Sequence, residues 1–408
     1  HETPLVVASE KGHTEIVKDL LAKGANINAT GRVKVETSML FDKLHEISTK
    51  IVNGLSKKSQ IASNPFIAGT SEILFEMTET VNTSKDTEYI MPDMTALMIA
   101  SMNGHTETVN ILLTGGADVN AKGKGTINGS TALLQASAMG YDKIVEHLLA
   151  KGADVNAKTK YNITALMIAS MMGHDKIVKK LLAEGADVNV KDKDNLTALM
   201  LASMMGHDKI VKKLLTEGAG ANAKAKGKAS GTALIFASMA SSTESVNRLL
   251  AEGADVNAKG MDSVTALICA SMVHHSEIMK ILLAEGADVN LKGRGESNGL
   301  TALMYTAAYG SLEIISDLIA EGADVNAKGK NYITVSNGSI QSGTALDGST
   351  VLMAASMEGH TEIIKYLLSE GANVNVKDKD GNTALLLALK HGHAKAAHVI
   401  LNNYISHD

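Results

Sequence analysis

The phrase T-A-L-x-x-A-S-M-x-G-H, closed by L-L-x-x-G-A-D-V-N-A-K, recurs along most of the chain. Its copies at Thr131, Thr164 and Thr197 stand 33 residues apart. A fixed period of this length means a stack of small supersecondary units, each touching only its neighbours. Such a stack grows along one axis, so 408 residues need not be parted into several separate cores. It offers a broad surface rather than one enclosed cleft.

Ten copies start at Thr3, Thr95, Thr131, Thr164, Thr197, Thr232, Thr265, Thr301, Thr350 and Thr383. Most spacings are 33 to 36; the exceptions are 92 after Thr3 and 49 after Thr301. In the copy at Thr164, the threonine hydroxyl suits a helix N-cap. A short helix over Ala165–Met171 follows, and Gly173 stops it. A second helix runs from Asp175 to Leu182, with Ile177, Val178, Leu181 and Leu182 on one face. Asp175 and Lys179 form an i,i+4 pair on its solvent side. Gly185 ends that helix, and Asp187-Val188-Asn189 opens an extended finger.

The T-x-L, G-H, L-L-x-x-G-A and V-N elements together resemble the ankyrin repeat, over about five sixths of the chain. The resemblance implies an all-α solenoid of about ten helix-turn-helix repeats with β-hairpin fingers. It also implies a concave surface, lined by the fingers and the ends of the first helices, that binds a partner protein. One departure is systematic: the family's T-P-L-H becomes T-A-L-M, as in Thr95-Ala96-Leu97-Met98, and proline survives only at Pro4. The family's Thr–His bond is therefore absent from these copies, although alanine still favours helix. The asparagine of each V-N, for example Asn120, Asn156 and Asn189, matches the family's finger-stabilising residue.

The expected organisation is a first repeat at 1–28, repeats over 95–330 and terminal repeats over 350–408. His1 falls inside a repeat, so upstream residues, including any targeting segment, are expected to be missing. The copies at Thr232 and Thr265 carry Ser241-Ser242 and His274-His275 in place of Gly-His. A side chain at a positive-φ turn costs stability, so the stack is expected to be softest there. Lys390, His391, His393 and Lys395 fit a polar cap on the last copy.

Two insertions interrupt the period. Over 29–94, Met39, Leu40, Leu44, Ile47, Ile51 and Leu55 predict an amphipathic helix at 37–57, and Ile73, Leu74, Met77 and Val81 predict another. Thr37 and Thr70 keep the frame, so two degenerate repeats compete with the preferred reading, a helical excursion docked on the stack. Over 331–349, Asn337-Gly338 between alternating segments predicts a β-hairpin with Val335 opposite Ile340.

Composition narrows function. A net charge of −5 argues against wholesale nucleic-acid binding. One cysteine, Cys269, excludes an internal disulfide framework and CxxC motifs. No apolar stretch reaches the ~20 residues of a membrane helix. Phosphate loops, G-x-S-x-G and H-E-x-x-H are missing, so no catalytic residue, metal or cofactor is expected. The G-H histidines, one per repeat, spread along the stack rather than converge on a metal.

Two features are candidates for binding. The first is a row at the ends of the first helices: Met102, Met139, Met171, Met172, Met204, Met205, Met239, Met272, Tyr309 and Met357. Methionine is flexible and polarizable and suits an apolar partner segment. The competing reading is inter-repeat packing. The second is a line of fingertips: Lys124, Lys160, Lys193, Lys226 and Arg294, with Tyr332, Val335 and Ile340 on the long hairpin. A solvated edge is the competing reading there, and an acidic ligand (a phosphoinositide or nucleic acid) is the other. The expected role is a monomeric protein-binding module, cytoplasmic or secreted into a host cell as an effector; the targeting part of a larger enzyme is the alternative.

Overall fold

The computed structural model of the protein describes residues 3–35, 89–123, 129–227, 230–294, 299–330, 333–336, 339–342 and 347–405. They form ten helix pairs in two units that divide after Lys226. The N-terminal unit holds α1 (Pro4–Glu10) and α2 (Thr14–Ala22), α3 (Ala96–Met102) and α4 (Thr106–Thr114), and α5 (Ala132–Met139) and α6 (Asp142–Ala150). It continues with α7 (Ala165–Met172) and α8 (Asp175–Ala183), then α9 (Ala198–Met204) and α10 (Asp208–Thr216). The C-terminal unit holds α11 (Ala233–Met239) and α12 (Thr243–Ala251), α13 (Ala266–Met272) and α14 (Ser276–Ala284), and α15 (Ala302–Tyr309) and α16 (Leu312–Ala320). It ends with α17 (Val351–Glu358) and α18 (Thr361–Ser369), then α19 (Ala384–Lys390) and α20 (Ala394–Ile405). Within each unit, every first helix packs on the first helix of the next pair.

The threonines start the first helices as their chemistry predicts. Thr164 Oγ1 accepts from the Met167 amide at 3.3 Å, and the same bond recurs at the other copies except Thr232. Thr232 Oγ1 is buried without a partner among the described residues, which marks this copy as the weak one. Ser241 at φ 58° and His274 at φ 53° hold the left-handed conformation that Gly173 takes at φ 79°. Both strained residues fall where the sequence placed the softest stretch. Every second helix except the last carries an acid in its first turn, such as Asp142, Asp175 and Asp208, that complements the helix dipole. Asp175 meets Lys179 at 3.5 Å, as predicted.

The core lies between consecutive pairs. Leu166, Met167, Leu199 and Met200 are buried there, as are Ile177, Val178 and Leu181 of α8. Six residues after every threonine but Thr383 comes a small residue, and Ser9, Ser101, Ser137, Ser170 and Ser203 are fully buried there. Their size lets the first helices approach closely.

The first insertion leaves and re-enters through two antiparallel strands, β1 (Thr30–Val35) and β2 (Tyr89–Thr95). Between them lie the helices predicted at 37–57 and near 73–81, outside the described residues. α1 packs directly on α3, so no pair separates the first copy from the one at Thr95. The second insertion is a hairpin, β3 (Ile333–Ser336) and β4 (Ser339–Ser342), with Val335 opposite Ile340 as the sequence predicts.

The last pair departs from the expected polar cap. Leu386, Leu389 and Leu401 are 39%, 57% and 43% exposed. Leu386 and Leu389 stand at frame positions that the following pair covers in earlier copies. Of the predicted cap residues, His393 turns inward and bonds the Met357 carbonyl at 2.8 Å, and Lys390 donates to Asn382.

Candidate partner-binding surface

The fingers are tied together by asparagines. Asn156 Oδ1 accepts from the Asp187 amide at 2.8 Å, and its Nδ2 donates to the Gly185 carbonyl at 3.1 Å. Asn120 makes the same two bonds to Asp154 and Gly152, and Asn290 makes them to Asp324 and Gly322. Each amide side chain thus satisfies one donor and one acceptor of the next copy's turn, which fixes finger spacing. These asparagines are structural and leave little for a ligand.

A second ladder runs through the G-H turns. His174 Nε2 bonds the Ala138 carbonyl at 3.2 Å, His207 the Met171 carbonyl at 3.1 Å, and His360 the Ala308 carbonyl at 2.9 Å. The accepting carbonyl is always seven residues after a threonine. The imidazole lies against the preceding copy's glycine: a Cβ on Gly140 would stand 2.7 Å from His174. Glycine is therefore required here twice over, for its φ of 84° and for the room. In the copy at Thr301, where Ser311 replaces histidine, Tyr309 Oη donates to Met272 instead, at 2.8 Å. Its ring stacks on His274, with centroids 4.7 Å apart.

These contacts correct the predicted methionine row. The row mixes two registers, seven and eight residues after the threonine. Met102, Met139, Met171, Met239, Met272 and Met357 are all buried, between 3% and 8% exposed. They pack between neighbouring helices and present no apolar row to a partner. Tyr309 is not a free anchor either: burial holds its hydroxyl up at about 12, and it serves as an internal donor. Met172, Met204 and Met205 remain half-exposed. Ile168, one turn before Met172, is also half-exposed, and the sequence reading missed it. Ile168 and Met172 at i,i+4 share one stripe of α7, beside Met204 and Met205 at the end of α9.

The fingers leading into those two helices carry Lys160 and Lys193 of the basic line. Lys160 and Lys193, from consecutive fingers, both lie over the Tyr161 ring, at 4.5 and 4.9 Å from its centroid. The Lys193 amide also donates to the Tyr161 carbonyl. Two cations on one ring, from consecutive fingers, hold adjacent fingertips in register. At the base of the second finger, Asp192 accepts from the Asp194 and Leu196 amides at 2.9 and 2.7 Å. Desolvation there raises its pKa from 3.8 to about 6, despite the bonds that favour the carboxylate. Lys226 and Arg294 are exposed, while Lys124, Tyr332 and the side chains of Val335 and Ile340 lie outside the described residues.

Comparison with family models settles what this geometry belongs to. A model of three consecutive ankyrin repeats matches residues 66–159, 166–260, 234–329 and 330–408, and a single-repeat model matches residues 1–32. The chain belongs to the ankyrin repeat family. No curated protein matches it. Ankyrin repeats are in general protein-interaction modules, and the helix pairs, turn histidines and finger asparagines all conform to the family plan. Among the described residues, no group of three or more His, Cys, Asp or Glu side chains gathers to hold a metal. No described helix is long and apolar enough to cross a membrane. Cys269 is buried, and desolvation pushes its thiol up to about 12, so it carries no ready nucleophile.

Proposed function

We propose that this ankyrin repeat protein acts as a non-catalytic monomer that captures a partner protein on the surface formed by α7, α9 and their fingers. The observation that carries this reading is the partial exposure of Ile168, Met172, Met204 and Met205 on two adjacent first helices. Elsewhere, outside the last pair, the large apolar side chains at the equivalent helix ends are mostly buried, with Tyr309 bonded internally. A compact apolar patch rimmed by Lys160, Tyr161 and Lys193 has the anatomy of an interaction hot spot, with a desolvating centre and a steering rim. The partner chemistry it fits is a short amphipathic segment with an apolar stripe and acidic flanks.

The experiment is capture of partners by the full chain, their identification by mass spectrometry, and titration of each purified partner against Met172→Glu/Met205→Glu. A loss of at least about tenfold in affinity at unchanged helicity is expected. Equal affinity of variant and parent would remove this surface from consideration.

A further inference from the structure

The C-terminal unit contains a second surface of different chemistry. Three successive fingers, following α12, α14 and α16, surround a cavity of about 490 Å³. Lys259 and Ser263 come from the first finger, Asn290, Lys292 and Arg294 from the second, and Lys330 from the third. The volume lies in the range of small-molecule sites.

Four cationic side chains line this space, and none of them forms an ion pair among the described residues. Lys292 Nζ donates to the Lys328 carbonyl, a neutral acceptor. Lysine ion pairs occur along the helices, as in Lys180 with Glu146, Lys280 with Glu313, and Lys213 with Glu217. Among the described residues, four cationic side chains thus converge on one concavity in a chain of net charge −5. Focused fields in such a cleft attract anions.

The fingers are also locked in this arrangement. The Arg294 amide donates to the Asp262 carbonyl, which joins the first finger to the second. Gly299 packs on Gly329, which brings the second against the third. Asp262 and Ser263 hold consecutive left-handed conformations at φ 50° and 57°, an arrangement that costs energy in non-glycine residues. That turn places Ser263 at the cavity. Asn290 donates one amide N–H to the Gly322 carbonyl and accepts from the Asp324 amide at its oxygen, which fixes it in the wall.

We infer that this cavity binds a compact polyanion carrying at least two phosphate groups. Arginine at position 294 offers a bidentate fork to one phosphate, the three lysines neutralise the rest, and the Ser263 hydroxyl donates one further bond. Among the described residues the lining is cationic and polar and includes no aromatic side chain, so the recognition it supports is of phosphates. A free polyphosphorylated metabolite and the headgroup of a phosphorylated lipid share this chemistry.

The test titrates the full chain with inorganic tripolyphosphate by calorimetry. In parallel it measures sedimentation with phosphatidylcholine vesicles, with and without a bisphosphorylated phosphoinositide. Saturable tripolyphosphate binding that weakens steeply with added salt is expected. Arg294→Gln/Lys330→Gln should weaken it at least about tenfold, because charge-assisted contacts are lost. Lys160→Gln/Lys193→Gln, in the other unit, should leave it unchanged. Binding of tripolyphosphate without vesicle retention assigns a free ligand, and phosphoinositide-dependent retention assigns the headgroup. The inference is overturned if the parent binds neither probe, or if the Arg294/Lys330 variant binds as the parent does. It is equally overturned if both variants weaken binding alike, since that would describe diffuse surface charge.

Discussion

Tyr309 Oη donates a 2.8 Å hydrogen bond to the carbonyl of Met272, the place that a histidine of the following copy fills elsewhere in the stack. The phenol reaches the equivalent carbonyl from two residues earlier in sequence, so the ladder survives the loss of Gly-His at Gly310-Ser311. Two contacts hold the ring: this bond and the stack on His274.

Tyr309→Phe separates them. The stack remains and the bond is lost, which leaves a carbonyl of the neighbouring copy unpaired. A net loss of about 1 kcal/mol is expected. In a stack of repeats the loss is local, so hydrogen exchange of α13 and α15 is the sensitive readout, and those amides should exchange faster than those of α7. Unchanged protection would mean that the stacked ring alone carries the contact.

Asp192 makes stability depend on pH in the direction opposite to an ordinary paired carboxylate. Its folded pKa of about 6 lies above the ordinary 3.8, so between those values the folded chain holds a proton that the unfolded chain releases. The contribution is fully present below about 3.8 and is lost as pH rises through about 6. Asp192→Asn keeps an oxygen for the Asp194 and Leu196 amides and removes the buried charge. The variant should melt higher than the parent at pH ~7, and the gap should close by pH ~4. A gap that stayed constant across this range would contradict the titration.

The buried serines divide the two units. Ser9, Ser101, Ser137, Ser170 and Ser203 have no hydrogen-bond partner among the described residues. Ser238 and Ser356 at the same frame position donate to the Leu234 and Leu352 carbonyls at 2.8 and 2.6 Å. Ser170→Ala removes an unsatisfied hydroxyl and adds helix propensity, so a gain of up to about 1 kcal/mol is expected. Ser238→Ala gives up a bond and should be neutral or slightly destabilising. Thermal melts of the two variants check the contrast; a destabilised Ser170→Ala would mean that its hydroxyl is satisfied in solution.

Much of this architecture was legible because the repeat imposes it locally. A threonine cap, a positive-φ glycine and a buried leucine each follow from a few consecutive residues, as in Thr164, Gly173 and Leu166. The β3–β4 register was legible for the same reason, since Asn337-Gly338 fixes which residues oppose. The proposed binding residues were not. Met171 and Met172 are identical in type and adjacent in sequence, and only the position of the neighbouring helix decides that one is buried and the other half-exposed. The pairing of β1 with β2 joins segments separated by residues 36–88 and leaves no local pattern. Likewise, Lys259, Arg294 and Lys330 look like three members of a solvated edge until three fingers bring them around one cavity.

Those two methionines provide the decisive comparison. Met171 is 4% exposed, and its carbonyl accepts from His207, so Met171→Glu places a carboxylate between α7 and α9 with no cation provided for it. Burying an unpaired charge there should cost at least about 3 kcal/mol and loosen the stack around the copies at Thr164 and Thr197. Met172→Glu puts the same group at a half-exposed site at the helix end, where water can solvate it, and should change the melting temperature little. Partner capture should be lost in both variants, but helicity and protease resistance only in the first. If Met172→Glu unfolded the chain as Met171→Glu does, the exposed patch on α7 and α9 would be core, and the recognition surface would have to be sought elsewhere on the fingers.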